Sequence, residues 1–194
     1  MPIFHLYGHS FGGILAFEYI KFAKPNNCLS LTLASAPTSS KLIMQETCRL
    51  SVELMKSSES DSEPVDELDP NQRKRSSEAF SKVHECRLEV LPLALQDAYA
   101  QAAPASWRGL QAIEIKDYQA ETALGQESVT VPPTMILVGE FDFCTNKCIE
   151  GWKELLTPPP EVVSVSGCSH YGILEDESEY GKLLFRFLKH NDPK

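Results

Sequence analysis

A short apolar strand that leads directly into a glycine-rich turn is the feature that most constrains this chain. Residues 3–7 are mostly apolar, and residues 8–12 that follow have the pattern G-x-S-x-G. The mostly apolar stretch at residues 14–23 predicts a buried helix that ends before Pro25. Strand, tight turn and helix in this order place a serine at the tip of a strained turn, which is the nucleophile elbow.

The residues of this turn suit a serine that acts as a nucleophile. The Ser10 hydroxyl needs a base to take its proton and a backbone that presents it openly. Gly8 and Gly12 are predicted to relieve crowding in the turn because they lack a Cβ atom. The backbone N–H of Phe11 is the candidate donor to an oxyanion. His9 is predicted to shape the turn or the pocket rather than to act as the base.

Composition excludes several classes of function. The chain has 194 residues, of which 42% are hydrophobic and 23% are charged, as in an ordinary globular protein. The net charge of −9 argues against a nucleic-acid partner. No apolar run approaches the roughly 20 residues that span a bilayer, so no membrane partner is predicted. The six cysteines form no CxxC pair, which predicts reduced thiols in a cytoplasmic protein without a metal site.

The order of predicted elements indicates an α/β fold with a mostly parallel sheet and a helical insertion. The strand-like run at residues 28–34 follows the first helix and makes a parallel strand–helix–strand unit. Residues 1–37 and 129–194 are predicted to form the core, and residues 38–128 the insertion. Within the insertion, helices are predicted over residues 38–56 and 71–88, an acidic loop over residues 57–69, and more helix within residues 92–125.

The second part of the core has two further predicted strands, each followed by a residue that suits catalysis. Residues 134–138 form a buried strand that ends shortly before Asp142, and residues 161–166 form a strand that ends shortly before His170. Open α/β sheets place functional loops at these carboxyl ends. Helices are predicted over residues 146–156 and from Asp176 onward.

Asp142 and His170 complete a predicted set of nucleophile, acid and base. The chain order Ser10, Asp142, His170 is that of one known class of serine triad. In this hypothesis His170 takes the serine proton and Asp142 orients His170. The alternatives are a turn-forming aspartate and a histidine with a structural hydrogen bond. The other histidines are predicted not to compete for the role of base: His5, His84 and His190.

Several segments together resemble a known family. They are residues 8–13, 139–142 and 169–175 around the predicted site, and residues 46–50 and 80–88 in the insertion, where a Cys-Arg-Leu segment occurs twice. They are similar to the C-terminal part of an α/β-hydrolase and, within that superfamily, to the proline iminopeptidases. The resemblance covers nearly the whole chain. It implies a helical cap and a serine aminopeptidase that removes N-terminal proline from short peptides, with no metal or organic cofactor.

The sequence departs from that family where the substrate amine is held. The family uses cap glutamates for this ammonium group, but residues 103–107, where one is expected, contain no acid, and Glu114 and Glu121 are only nearby. An unpaired buried ammonium costs several kcal/mol. An esterase or other acyl hydrolase of the same fold is therefore the alternative, and the substrate-binding residues stay unassigned.

The turn lies at the very start of the chain, where family members have earlier strands and a second oxyanion donor. The resemblance therefore implies a C-terminal portion or a truncated product with an open sheet edge. Loss of one oxyanion donor typically costs about 3–4 kcal/mol of transition-state stabilisation. A non-catalytic binding protein that keeps the three residues is the third hypothesis. The oligomeric state is not predicted.

Overall fold

A parallel sheet lies at the centre of the structure, a computed structural model that describes residues 2–58, 70–101, 117–121 and 127–193. The strands are β1 (Phe4–His9), β2 (Cys28–Ala34), β3 (Val129–Thr130), β4 (Thr134–Gly139), β5 (Leu156–Thr157) and β6 (Glu161–Val165). The four-stranded sheet has the order β1-β2-β4-β6, and all of its neighbours are parallel. β3 and β5 form a separate parallel pair. The predicted α/β fold with a mostly parallel sheet is confirmed.

Helices form most of the connections between the strands. They are α1 (Phe11–Ala23), α2 (Ser40–Ser58), α3 (Pro70–Phe80), α4 (Leu93–Gln101), α5 (Asn146–Ile149), α6 (Gly151–Leu155), α7 (Gly172–Glu175) and α8 (Glu177–His190). A five-residue π-helical turn, Ser81–Glu85, follows α3. Helices α2, α3 and α4 lie between β2 and β3 along the chain. None of the helices in the described ranges is long and apolar enough to cross a bilayer.

The central strands are buried on both faces. Successive side chains of a strand point to opposite sides of the sheet, and an apolar layer covers each side. In β4, Ile136 belongs to the apolar layer that contains Phe17 of α1 and Trp152 of α6. Its neighbour Leu137 belongs to the opposite layer, which contains Phe187 of α8. Since the strands are parallel, their carboxyl ends meet at one edge. The turns after β1, β4 and β6 therefore share that edge.

Two predicted helices end earlier than the sequence pattern suggests. The helix predicted over residues 146–156 is divided into α5 and α6, and Leu156 is in β5 instead, buried and paired with Val129. The helix predicted over residues 71–88 gives way to the wider π-helical turn, and the backbone is extended at Cys86. In both places tertiary contacts override helical propensity. Residues 57 and 58 of the predicted acidic loop belong to α2 instead, and its residues 59–69 lie outside the described residues. Within residues 92–125 the predicted helix is confirmed by α4, and residues 102–116 and 122–125 lie outside the described residues.

Glu46 connects the insertion to the core. Its buried carboxylate accepts hydrogen bonds from Arg49 on α2 at 2.7 Å and from Thr145 at 2.9 Å, and it pairs with Lys147 at 3.2 Å. These donors, Arg49 most of all, lower the pKa of Glu46 to about 2. The network fixes α2 against α5, which follows the loop that contains Asp142.

Candidate active site

Ser10 lies between β1 and α1 in a backbone conformation that serine rarely adopts. Its φ is 53° and its ψ is −121°, and such a conformation costs a non-glycine residue about 1–3 kcal/mol. Backbone hydrogen bonds hold the turn: the Ser10 N–H donates to the Ala34 carbonyl at 2.7 Å, and the Gly13 N–H donates to the Ser10 carbonyl at 2.9 Å. The Ser10 side chain makes no capping hydrogen bond to α1. This is the local geometry that a nucleophile elbow requires.

The glycines of the turn have different roles, and the prediction for Gly12 is wrong. A Cβ atom on Gly8 would lie closer than 3.0 Å to backbone atoms of Gly12 and Gly13. A Cβ atom on Gly13 would lie equally close to the Cβ atom of Ala36. A Cβ atom on Gly12, by contrast, meets no described atom within 4 Å. The close approach of strand and helix therefore depends on Gly8 and Gly13.

Gly13→Ala is expected to lower the free energy of unfolding by about 1–3 kcal/mol, because the added methyl overpacks the contact with Ala36. Gly12→Ala is the matched control, since it adds the same methyl group to the same helical turn where nothing described lies within 4 Å. Urea unfolding of the two variants measures the difference. Equal unfolding midpoints for both variants would contradict this assignment.

Asp142 and His170 are joined by a hydrogen bond at the carboxyl edge of the sheet. An ionised carboxylate only accepts hydrogen bonds, so the His170 Nδ1–H donates to Asp142 Oδ1, at 2.9 Å. The Cys144 N–H donates to the same oxygen at 2.7 Å. The side chains of Asp142 and His170 are 0% and 5% exposed. This contact fixes the tautomer that leaves His170 Nε2 as the basic nitrogen.

Backbone contacts hold the Asp142 and His170 loops against each other. The Phe141 N–H donates to the Cys168 carbonyl at 2.9 Å. A Cβ atom on Gly139 would lie closer than 3.0 Å to that same carbonyl group. The Asp142 loop therefore approaches the His170 loop this closely only because residue 139 is glycine.

His9 connects the elbow to the His170 loop. Its Nε2–H donates to the His170 carbonyl at 2.8 Å, and the centroids of the two rings are 4.7 Å apart. Burial, with a smaller contribution from His170, lowers the pKa of His9 to about 4. His9 is therefore neutral near pH 7, and its Nε2–H is already donated to the His170 backbone carbonyl. This geometry suits a residue that shapes the site rather than one that transfers protons.

The structure brings Ser10 and His170 to the same edge of the sheet. Between these two described residues there is no side-chain hydrogen bond, and the contact between turn and loop runs through His9. Serine–histidine hydrogen bonds often form only when substrate is bound. The catalytic roles of Ser10, Asp142 and His170 stay predictions that the Asp142–His170 contact supports. The oxyanion role of Phe11, the first residue of α1, also stays a prediction.

Sequence reasoning missed a third segment that meets the site. His84 lies in the π-helical turn after α3, where it is buried and its Nδ1–H donates to the Phe141 carbonyl at 2.7 Å. Its own carbonyl accepts from the His170 N–H at 3.2 Å. The signal in the sequence was the resemblance of residues 80–88 to a recurring cap segment. No spacing pattern links His84 to Phe141, which is 57 residues away.

The serine after β1, the aspartate after β4 and the histidine after β6 follow the order found in α/β-hydrolases. All three lie at the carboxyl edge of one parallel sheet, and helices are inserted between its second and third strands. The chain has the α/β-hydrolase fold.

Comparisons with known proteins agree with this fold. No family model matches the sequence. The chain is similar to the proline iminopeptidase of Thermoplasma volcanium, with 27% identity over 198 residues, 96% of this chain and 65% of that protein. Among solved structures it is similar to VinJ, with a TM-score of 0.77, 21% identity, and coverage of 98% of this chain and 67% of VinJ. It is also similar to the proline iminopeptidase of Mycobacterium smegmatis, with a TM-score of 0.77, 22% identity, and coverage of 98% and 66%. The chain thus spans 65% of the length of the curated relative that it matches.

Proposed function

We propose that this chain carries the nucleophile, acid and base of a serine hydrolase that releases N-terminal proline from peptides. The observation that carries the proposal is the buried 2.9 Å contact between Asp142 and His170, beside the strained turn at Ser10. His170 Nε2 would take the Ser10 proton during attack on the carbonyl and give it to the leaving amine. A water molecule would then release the acyl group by the same route. Asp142 would hold His170 and stabilise its charged form.

Aromatic side chains next to His170 suit an apolar substrate group. The Phe143 ring lies 4.2 Å from the His170 ring, and the Tyr171 ring lies 5.4 Å from it. Phe80 from the insertion extends this wall, 6.0 Å from Phe143. Ligand pockets are mostly apolar with few polar groups. The methylene groups of a pyrrolidine ring fit such surroundings better than a charged side chain does, whereas its ring nitrogen, the ammonium of an N-terminal proline, does not.

A peptide substrate also brings an ammonium group that needs an acid. Glu46 is already paired with two basic side chains. Glu121 lines a cavity with the last residues of α1, at the opposite end of that helix from Ser10. Neither carboxylate therefore suits this role. Glu114 and residues 103–107 lie outside the described residues.

Glu85 is a candidate for the ammonium contact, because its carboxylate lies near enough to Tyr99 to add to the effect of burial in raising the pKa of that hydroxyl, and the Tyr99 hydroxyl donates to Tyr171, the residue after His170. Ester hydrolysis is the second candidate function. The pairing of Glu46 favours it, since an ester has no ammonium group to hold.

Turnover of a proline aryl amide and of a simple aryl ester by the full chain separates these functions. For the peptidase we expect amide turnover that N-acetylation of the proline abolishes. Glu85→Gln should raise KM for the amide about tenfold, the loss of roughly 1.4 kcal/mol, and leave ester turnover unchanged. The exposed Glu89→Gln is the control. Ester turnover alone supports the second candidate. If the chain turns over neither substrate and is not labelled by a fluorophosphonate, the hypothesis of a non-catalytic binding protein is the one that remains.

A further inference from the structure

We propose that the insertion segment His84–Arg87 positions the Asp142–His170 pair, and that His84 is the positioning residue through which it acts. This inference rests on the proposed function, because it assigns a role in the same site. The segment contacts both loops that carry the pair, whereas neither loop is near it in the sequence.

On the acid side, the contacts end on the residue directly before Asp142. The His84 Nδ1–H donates to the Phe141 carbonyl at 2.7 Å. The Arg87 guanidinium lies over the Phe141 ring, 3.9 Å from its centroid. The hydrogen bond thus holds the backbone carbonyl of Phe141, and the cation–π contact holds its ring. A shift of Phe141 would move the Asp142 carboxylate with it.

On the base side, the contacts hold the backbone on both sides of the imidazole. The His170 N–H donates to the His84 carbonyl at 3.2 Å, and the Tyr171 N–H donates to the Glu85 carbonyl at 2.9 Å. The Arg87 N–H donates to Glu175 at 2.6 Å. Glu175 in turn accepts from the backbone N–H and the hydroxyl of Ser169, the residue before His170.

The π-helical turn explains why these carbonyls are available. In a continuing α-helix, the carbonyls of His84 and Glu85 would accept from N–H groups four residues later. Here the Cys86 N–H closes the turn on the Ser81 carbonyl at 2.9 Å, and the backbone is extended at Cys86. The last carbonyls of the turn therefore accept from the His170 loop. Such π-helical turns are frequent at functional sites.

Two substitutions separate positioning from packing. His84→Leu removes the donor to Phe141 but still fills this buried position with a side chain of similar size. His84→Asn places an amide N–H at the same distance from the backbone as Nδ1. Proton-transfer geometry is sensitive to shifts of about 1 Å, which can cost about 100-fold in rate. We expect His84→Leu to lower kcat about 10- to 100-fold with little change in KM, and His84→Asn to restore most of it.

The NMR signal of the His170 Nδ1 proton in the full chain gives a readout that does not need turnover. We expect the strongly downfield signal of a proton shared with a buried carboxylate in the wild-type chain and in His84→Asn, and its loss or broadening in His84→Leu. The exposed Lys82→Ala, in the same turn, should behave as the wild type. If His84→Leu does not fold, His84→Gln, which displaces the amide by one bond, takes its place.

A wild-type signal together with wild-type kcat in His84→Leu would overturn the inference, as would equal losses in the leucine and asparagine variants. Absence of the signal from the wild-type chain would also overturn it, because there would be no pair to position. If the wild-type chain turns over neither substrate, the proposed function fails, but the signal still decides whether His84 holds the pair.

Discussion

Replacing Ser10 by alanine is expected to lower kcat on the order of a millionfold and to abolish covalent labelling by a fluorophosphonate. The strained turn presents the Ser10 side chain without using it as a helix cap. Alanine removes the attacking oxygen but leaves the backbone, including its φ of 53°, essentially as it was. We therefore expect the urea midpoint to stay near that of the wild type while labelling is lost. Mass spectrometry of the labelled chain gives the site directly.

Ser35 offers a control that matches Ser10 closely. It follows β2 as Ser10 follows β1, it has a positive φ of 49°, and its N–H donates to the Leu137 carbonyl at 2.7 Å. Ser35→Ala should therefore carry the same backbone strain and keep wild-type labelling. Labelling that persists in Ser10→Ala would show that Ser10 is not the nucleophile. Labelling that disappears in Ser35→Ala as well would show that its loss in Ser10→Ala does not identify the nucleophile.

The features that sequence reasoning predicted well are those that depend on local patterns. Residues 28–34 are β2 with the predicted bounds, because an apolar run between turn residues is typical of a buried parallel strand. Asp142 and His170 were placed by the same logic, since each follows the end of a strand. Parallel pairing then brings them to a common edge, where they are in contact at 2.9 Å.

The features that it missed depend on contacts between distant parts of the chain. Whether Gly12 or Gly13 must lack a side chain is decided by Ala36, on the segment after the next strand. The end of the predicted helix over residues 71–88 is decided by the loops of Asp142 and His170, which form hydrogen bonds with its last turn. Leu156 is in a strand, although its sequence pattern predicts a helix, because it pairs with Val129 of β3. Each outcome follows from packing that no window of sequence contains.

Asp142→Asn is the second substitution with a large expected effect, a loss in kcat on the order of 10⁴-fold. Asp142 Oδ1 accepts from both the His170 Nδ1–H and the Cys144 N–H, while Oδ2 has no partner among the described residues. If the amide oxygen of asparagine replaces Oδ1, the negative charge that stabilises protonated His170 is lost. If the amide N–H₂ faces His170 instead, the proton of His170 moves to Nε2, which then cannot take the serine proton.

The matched control is Glu140→Gln, which neutralises a carboxylate two residues before Asp142 on the same loop. Glu140 is bonded to the Ser166 hydroxyl at 2.9 Å and to the Gly167 N–H at 2.8 Å, away from His170. The Glu140→Gln variant should keep kcat within about threefold of the wild-type value, a change of roughly 0.6 kcal/mol. Because the volume of residue 142 is nearly unchanged in Asp142→Asn, circular dichroism should show the same fold while turnover falls. A folded Asp142→Asn variant with wild-type kcat would remove Asp142 from the mechanism and leave its hydrogen bond to His170 a structural one.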